Sequence, residues 1–351
     1  EISSLSVLSF NQDGILFIGD SFGGKVFAVD FKDNQKSDND KNLSIADIEG
    51  EIASFLGTTS DNIMIHDMAA NPISQNLYLS VSRGRAKWSS VWETPNNLEK
   101  ADILIRISPD GSMSEASLED VEYSSVDLPS PVDAAKEHRW KKGVKLRSDG
   151  IMDIEFWDGK IYISGLSNEE FSSALWTADF PFTGDAQINT LEIFHGAHGK
   201  WETASPIRSF LPYEINGKSS LLASYLCTPL VTIELDKLAK NTHVKGRTVA
   251  ELGAGNFPID MVLYQNNGKD YVLMSNSALP LLIVDPTDVE NYEGEIKEEV
   301  KGYLGGVKYT PRSGTGIQQL TDFNSKFILA TQRQPSGKLA LISISKGWMA
   351  P

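Results

Sequence analysis

One short pattern recurs along the chain and limits its fold more than any other feature. Each copy has an apolar-alternating strand, a tight polar turn, a second strand ending in small polar residues, and a third strand. The second strands are clearest, at 14–20, 76–82, 160–165, 220–225, 270–276 and 326–331, and all are rich in aromatic and β-branched residues. Third strands follow at 25–30, 102–107, 174–179, 230–235, 281–285 and 338–343. The turns before the second strands include Asp158-Gly159, Asn216-Gly217 and Asn267-Gly268, which supply residues tolerant of positive φ. A β-sandwich also alternates, but it does not repeat one internal order six times. The repeat predicts an all-β fold, a single six-bladed β-propeller over residues 1–351. The blades are expected near 1–43, 64–124, 149–200, 205–252, 256–300 and 313–347.

Fourth strands are expected at 190–194 and 247–252. Between the first two blades, Ile45, Ile48, Ile52, Phe55 and Leu56 have helical spacing, with Asp47 and Glu49 early, so a short helical insertion is predicted over 44–56. Two long connections interrupt the repeat. One, 86–100, is polar and carries Trp88 and Trp92; the other, 124–148, is basic and reads as a lid or surface loop.

Composition narrows the function. A net charge of -15 argues against nucleic acid or an anionic membrane surface as partner. No apolar run reaches the roughly 18 residues of a membrane span, so no membrane insertion is expected. Cys227 is the single cysteine, so no intrachain disulfide can form. Cysteine poverty and a start at Glu1 lead to the expectation of a periplasmic or secreted protein with its signal peptide removed.

Aligning the innermost strands predicts the site. Ile65-His66-Asp67-Met68, Ile151-Met152-Asp153-Ile154, Ile207-Arg208-Ser209-Phe210, Ile259-Asp260-Met261-Val262 and Ile317-Gln318-Gln319-Leu320 share one pattern. Equivalent positions in a propeller point the same way, so Asp67, Asp153, Arg208, Asp260 and Gln318 are expected as a polar ring at one channel mouth. Asn168 and Asn276 join them from loops on that face. Clustered carboxylates repel unless a cation or an arginine sits among them, and Asp with amide oxygens suits Ca²⁺ first among divalent metals. A second cluster, His195 and His198 with Glu202 four residues beyond, would favour Cu or Zn, with His66 and Cys227 as further candidate ligands. The bland alternatives are a wet polar channel, a loop ordered by histidine hydrogen bonds and a buried structural thiol.

Two motifs are false leads. Gly19-Asp20-Ser21-Phe22-Gly23 matches a nucleophile elbow, but a strand follows where that motif needs a helix. Gly253-Ala254-Gly255 lacks the rest of a dinucleotide fingerprint, so no nucleotide cofactor is expected.

The six repeats resemble propellers of the gluconolactonase, SMP-30 and NHL type. That resemblance implies a Ca²⁺-dependent lactonase or phosphotriesterase centre, with the metal held by acidic and amide side chains at the mouth. Arg208 departs from that pattern. The runs His195-Gly196-Ala197-His198-Gly199, Pro206-Ile207-Arg208-Ser209-Phe210 and Cys227-Thr228-Pro229-Leu230-Val231 are similar to a family of exported bacterial propeller proteins.

The expected function is therefore a small-molecule or metal-ion site at the channel mouth, including a Ca-assisted hydrolase. One alternative is a non-catalytic interaction propeller docking an exported protein partner, such as a redox enzyme, with loop 86–100 as contact. The other is a transition-metal binding protein.

Overall fold

The Asn-Gly and Asp-Gly pairs turn the chain as their chemistry requires. Asp158 and Gly159 take φ of 46° and 74°, Asn216 and Gly217 52° and 72°, and Asn267 and Gly268 52° and 75°. Two consecutive left-handed residues match the right-handed twist of the flanking strands, so each pair closes a hairpin. The computed structural model describes residues 2–83, 102–139, 143–302 and 304–349, and within them the hairpins assemble into six antiparallel-based sheets, a six-bladed propeller. The expected tryptophan loop, 86–100, lies outside the described residues.

The inner strands are Leu8–Phe10, Ile63–Ala70, Asp153–Trp157, Ile207–Ile215, Pro258–Asn266 and Ile317–Asp322. The fourth strands expected in the third and fourth blades are present as Gln187–His195 and Arg247–Leu252. The predicted insertion forms the helix Ile48–Phe55, whose cap Asp47 accepts the Gly50 N–H through its side chain.

The spatial order of the blades differs from their order in sequence. Apolar packing between sheets joins blade 1 to blade 2 through Leu16, Ile18 and Tyr78, and blade 1 to blade 3 through Phe17, Ile163 and Trp176. Blades 3–4, 4–5 and 5–6 pack in turn, and blade 6 meets blade 2 through Leu329, Leu341, Ile65 and Leu79. The ring therefore runs 2–1–3–4–5–6, with blade 2 seated between blade 6 and blade 1.

The blade boundaries expected at 1–43 and 64–124 are corrected accordingly. The outer strand of blade 1 is Glu122–Asp127, reached only after blade 2 is complete, and it pairs with Lys25–Asp30. The basic connection expected over 124–148 thus begins as a blade strand. The rest of its described part is held down: the Arg147 side chain donates to the Phe22 carbonyl at 3.0 Å and to the Val132 carbonyl.

The segment after the third strand of blade 1 closes the ring. Asp33 accepts hydrogen bonds from Ser74, Asn76 and Tyr78 of blade 2 at 2.8–3.0 Å. The chain then reaches blade 6, where Ile45 and Leu341 exchange backbone bonds of 2.9 Å in each direction. This adds a short fourth element to a blade with three strands of its own. The helix follows as a wedge between blades 6 and 2. It buries Ile48 and Ile52 completely, each worth about 1.5–3 kcal/mol, and its Glu49 makes a two-pronged ion pair with Arg333 of blade 6 at 2.5 and 2.8 Å.

Candidate functional site

The six inner strands enclose a central cavity of about 1320 Å³. Asp67, Asp153 and Asp260 line it, as do Glu155, His66, Met152 and Arg208. The three aspartates sit on blades 2, 3 and 5, which are alternate blades of the spatial ring. Each does the same two things. Oδ2 accepts a backbone N–H from the next blade: Leu8 at 2.7 Å for Asp67, Phe210 at 2.9 Å for Asp153, Leu320 at 2.6 Å for Asp260. Oδ1 accepts the N–H of its own next residue, at 2.8, 2.8 and 2.7 Å.

A serine opposite each aspartate completes the link. Ser80, Ser164 and Ser275 are the cross-strand partners of Asp67, Asp153 and Asp260. Their hydroxyls donate to carbonyls of the next blade, at Ser6, Ile207 and Gln318, over 2.7, 3.3 and 2.5 Å. Three Asp-Ser pairs therefore tie six blades together two by two.

The shared bonding fixes the true register. Asp67, Asp153 and Asp260 are equivalent to one another and to Ser209 and Gln319, so Arg208 and Gln318 belong one step nearer the mouth, level with His66 and Met152. Arg208 lines the channel there. Gln319 does so in blade 6, where Gln318 is engaged through its carbonyl. Asn168 is an exposed loop residue whose backbone N–H bonds to the Ser130 carbonyl at 2.8 Å. Asn276 is buried and uses its side chain within its own loop, accepting from Asn256 at 2.9 Å and donating to Met274 and Pro280 carbonyls at 3.3 Å. Neither amide lines the cavity.

Electrostatics in the channel follow from crowding. Burial, against the pull of the backbone N–H donors, pushes the carboxyls of Asp67 and Asp153 up to about 7. Asp260 is pushed well above its ordinary range by burial, and further by Asp67 and Asp153. Glu155, absent from the sequence-predicted ring, behaves likewise: burial lifts its carboxyl, and Asp153, Asp260 and Asp67 add to the effect. It lies two residues inward of Asp153 on the same strand, hence on the same face. Unlike the aspartates, Glu155 has no hydrogen-bond partner for its carboxyl among the described residues.

At the mouth, Arg208 is similarly underused. Burial lowers its pKa while Asp149 and Asp153 oppose that. Its Nη1 reaches the Met152 sulfur at 3.7 Å, and its buried Nε has no partner. His66 Nε2 bonds to Ser82 Oγ at 2.6 Å, and Ser82 in turn donates to Asp102. Crowding by the channel wall lowers the His66 pKa, against a smaller upward pull from Asp102, although the residue itself is exposed to the open channel.

The histidines divide between two places. His66 belongs to the channel, whereas His195 and His198 stand on the hairpin formed by Gln187–His195 and Lys200–Glu202 at the outer side of blade 3. Both Nδ1 atoms meet one carboxylate, His195 to Glu202 Oε2 at 3.0 Å and His198 to Glu202 Oε1 at 2.8 Å. Among the described residues, His195, His198 and Glu202 are the one group of three or more His, Cys, Asp or Glu whose ligand atoms lie within 4.8 Å of one another. Neither His66 nor Cys227 joins it, and the channel carboxylates do not converge that closely. Cys227 occupies the turn between the second and third strands of blade 4, where it and Thr228 have φ of 65° and 81°.

Comparison with known proteins identifies no family. No protein-family model matches the chain. No curated protein matches it either. Among solved structures, Kuenenia stuttgartiensis hydrazine synthase is similar at 13% identity and a TM-score of 0.40, covering 98% of this chain and 96% of that one. Virginiamycin B lyase from Staphylococcus aureus is similar at 8% identity and a TM-score of 0.38, again over 98% and 96%. An engineered GH43 glycoside hydrolase is similar at 10% identity and a TM-score of 0.37 over 80% of this chain, which spans 49% of that one. Among the described residues, no helix is long and apolar enough to cross a membrane.

Proposed function

We propose that the protein binds a polar small molecule carrying an anionic group in its central channel, with Arg208 receiving the anion and Glu155 meeting the polar body deeper in. The observation that carries this reading is the contrast in how channel groups are used. The aspartates are committed to holding blades together, while a guanidinium and a carboxyl in the same cavity lack comparable partners. A cation whose buried Nε–H is orphaned is costly unless something satisfies it. Strand geometry puts the Glu155 level roughly 10 Å inward of the Arg208 level, at about 3.3 Å per residue, so the ligand spans several heavy atoms. The Glu155 carboxyl, pushed well above its ordinary range by burial and the neighbouring aspartates, accepts from a ligand hydroxyl when ionised and donates to one when protonated. Spacing favours a metal-free site over a Ca²⁺ centre, because one ion needs several oxygens at 2.3–2.6 Å and the channel carboxylates do not converge as a set.

A thermal-shift screen of small hydroxy- and amino-carboxylates, gluconate among them, tests the reading. At least one should raise the Tm of the wild-type protein and fail to do so in Arg208→Ala. A screen with no binder, or a binder indifferent to Arg208, would overturn it.

A further inference from the structure

The hairpin that carries His195, His198 and Glu202 lies on a different part of the molecule from the channel and is tied down by contacts from blade 4 and from residues 296–300. Glu251, from the outer strand of blade 4, accepts the Gly196 N–H at 2.5 Å. The Gly196 carbonyl accepts from Gly199 at 3.2 Å and from Val300 at 2.9 Å. A Cβ at Gly196 would stand 2.9 Å from Ile296 and Val300 side chains and 3.0 Å from Glu251, so only glycine fits. The result holds two imidazoles with ring centroids 3.8 Å apart, both turned towards one carboxylate.

We propose that His195, His198 and Glu202 form a binding site for a first-row divalent transition-metal ion, zinc above all, with one coordination position open to solvent. The ligand types are those of two-histidine, one-carboxylate zinc sites that keep a fourth position free. The spacing also fits. A tetrahedral ion with bonds of about 2.0–2.1 Å holds its ligand atoms roughly 3.3 Å apart, and the two N–O separations here are 3.0 and 2.8 Å. These two contacts run to different oxygens of Glu202, and the ligand atoms of the three residues lie within 4.8 Å of one another, so the side chains close on one point to seat the ion. The graded exposure of the three side chains, 2% for His195, 17% for Glu202 and 43% for His198, leaves one side open to water.

A second observation points to the same ligand. His195 Nε2 is buried with no hydrogen-bond partner, and so is Glu251 Oε2. With His195 neutral and donating through Nδ1 to Glu202, its Nε2 is a buried lone pair that meets no donor, and Glu251 Oε2 has no partner either. If His195 ligates through Nδ1, its Nε2 must carry the proton and needs an acceptor, and a carboxylate behind the ring is the usual second partner of a metal-bound histidine. Glu251, anchored at the residue next to His195, supplies that acceptor after a small rotation. The opposing feature is Lys200, whose Nζ lies 3.4 Å from Glu202 Oε1. It is a long exposed side chain that can swing into solvent when an ion takes its place.

The test uses the full chain, purified without a metal-chelating tag, stripped with chelator and titrated with zinc chloride. Bound metal is counted after gel filtration, and Tm is read in parallel. The wild-type protein should retain one equivalent and gain several degrees. His198→Ala, an exposed position outside the core, should retain at least tenfold less and gain nothing. Glu202→Gln, which keeps the shape but not the charge, should weaken binding about tenfold or more. A wild-type protein that retains no zinc, or a His198→Ala variant that retains as much, overturns the proposal and leaves the cluster as a hydrogen-bonded turn.

Discussion

Partly buried carboxylates are treated in opposite ways in two regions of this molecule. In the channel, Asp67, Asp153, Asp260 and Glu155 face one another, and burial lifts all four. In the blade 3 hairpin, burial also pushes the Glu202 carboxyl up, but hydrogen bonds from His195 and then His198 outweigh it and take the group down to about 2. Depth alone does not set the charge of a carboxyl; the neighbours do. The channel contains a second contrast of the same kind. Its aspartates answer burial with backbone N–H donors from two blades, and Glu155 answers it with none. The first arrangement belongs to the fold, and the second leaves a group free to meet a ligand.

The strongest way to break that distinction is to remove an aspartate. Asp153→Ala leaves the Phe210 and Ile154 N–H groups without their acceptor, next to side chains that are 0% and 1% exposed. An unsatisfied buried donor costs about 1–3 kcal/mol, so urea unfolding should report a loss of about 2–5 kcal/mol. A loss under about 1 kcal/mol would show that the channel aspartates are not what ties the blades.

A smaller effect, and a sharper one, is the pH dependence. Asp67 and Asp153 titrate near 3.8 when exposed and near 7 in the fold, so between those values the native state holds protons that the unfolded chain has released. Stability then falls as pH rises through that window. Their contribution is fully present below about pH 4 and lost as pH rises through about 7. The Tm should climb by several degrees from pH 8 to pH 5, and Asp67→Asn should flatten the slope. A Tm that drops over the same range would mean that other groups, not the channel carboxylates, govern the acid side.

How much of this the sequence carried depends on the kind of signal. The hairpins were legible because Asn-Gly and Asp-Gly have a local conformational reason to turn, and the inner and second strands because they alternate. The outer strand of blade 1 was not. Glu122–Asp127 buries only Val126, so it has no apolar alternation to read, and its partner strand ends 92 residues earlier at Asp30. The exchanged position of blades 1 and 2 rests on contacts such as Asp33 with Tyr78, which no local pattern announces. Asp67 and Asp153 were found by aligning repeats. Asp260 was found too, but one position out of register, because Ile259 resembles Ile65 in sequence whereas the pairing makes Pro258 its equivalent, with the same bulge just before each aspartate. Glu155 was missed although a signal existed: residues i and i+2 of a strand share a face, so Asp153 in the channel implied Glu155 beside it.

That missed residue gives the smallest predicted effect and the most discriminating one. Glu155→Gln keeps the shape and removes one of four like charges without breaking a hydrogen bond among the described residues. At pH 8 the unfolded chain has released the Glu155 proton, whereas burial and the neighbouring aspartates oppose its release in the fold, so the wild-type carboxyl costs stability there. The variant should therefore be more stable than wild type at pH 8, read as a higher urea midpoint. At pH 4 the acid is already protonated in the fold, so the two proteins should unfold at nearly the same urea concentration. The same variant should weaken any channel ligand that Arg208→Ala weakens. Gaining stability while losing binding is the signature of a group held for function at a cost to the fold. A Glu155→Gln protein that is less stable than wild type at pH 8 would place Glu155 with the aspartates, and the unspent carboxyl of the channel would have to be sought elsewhere.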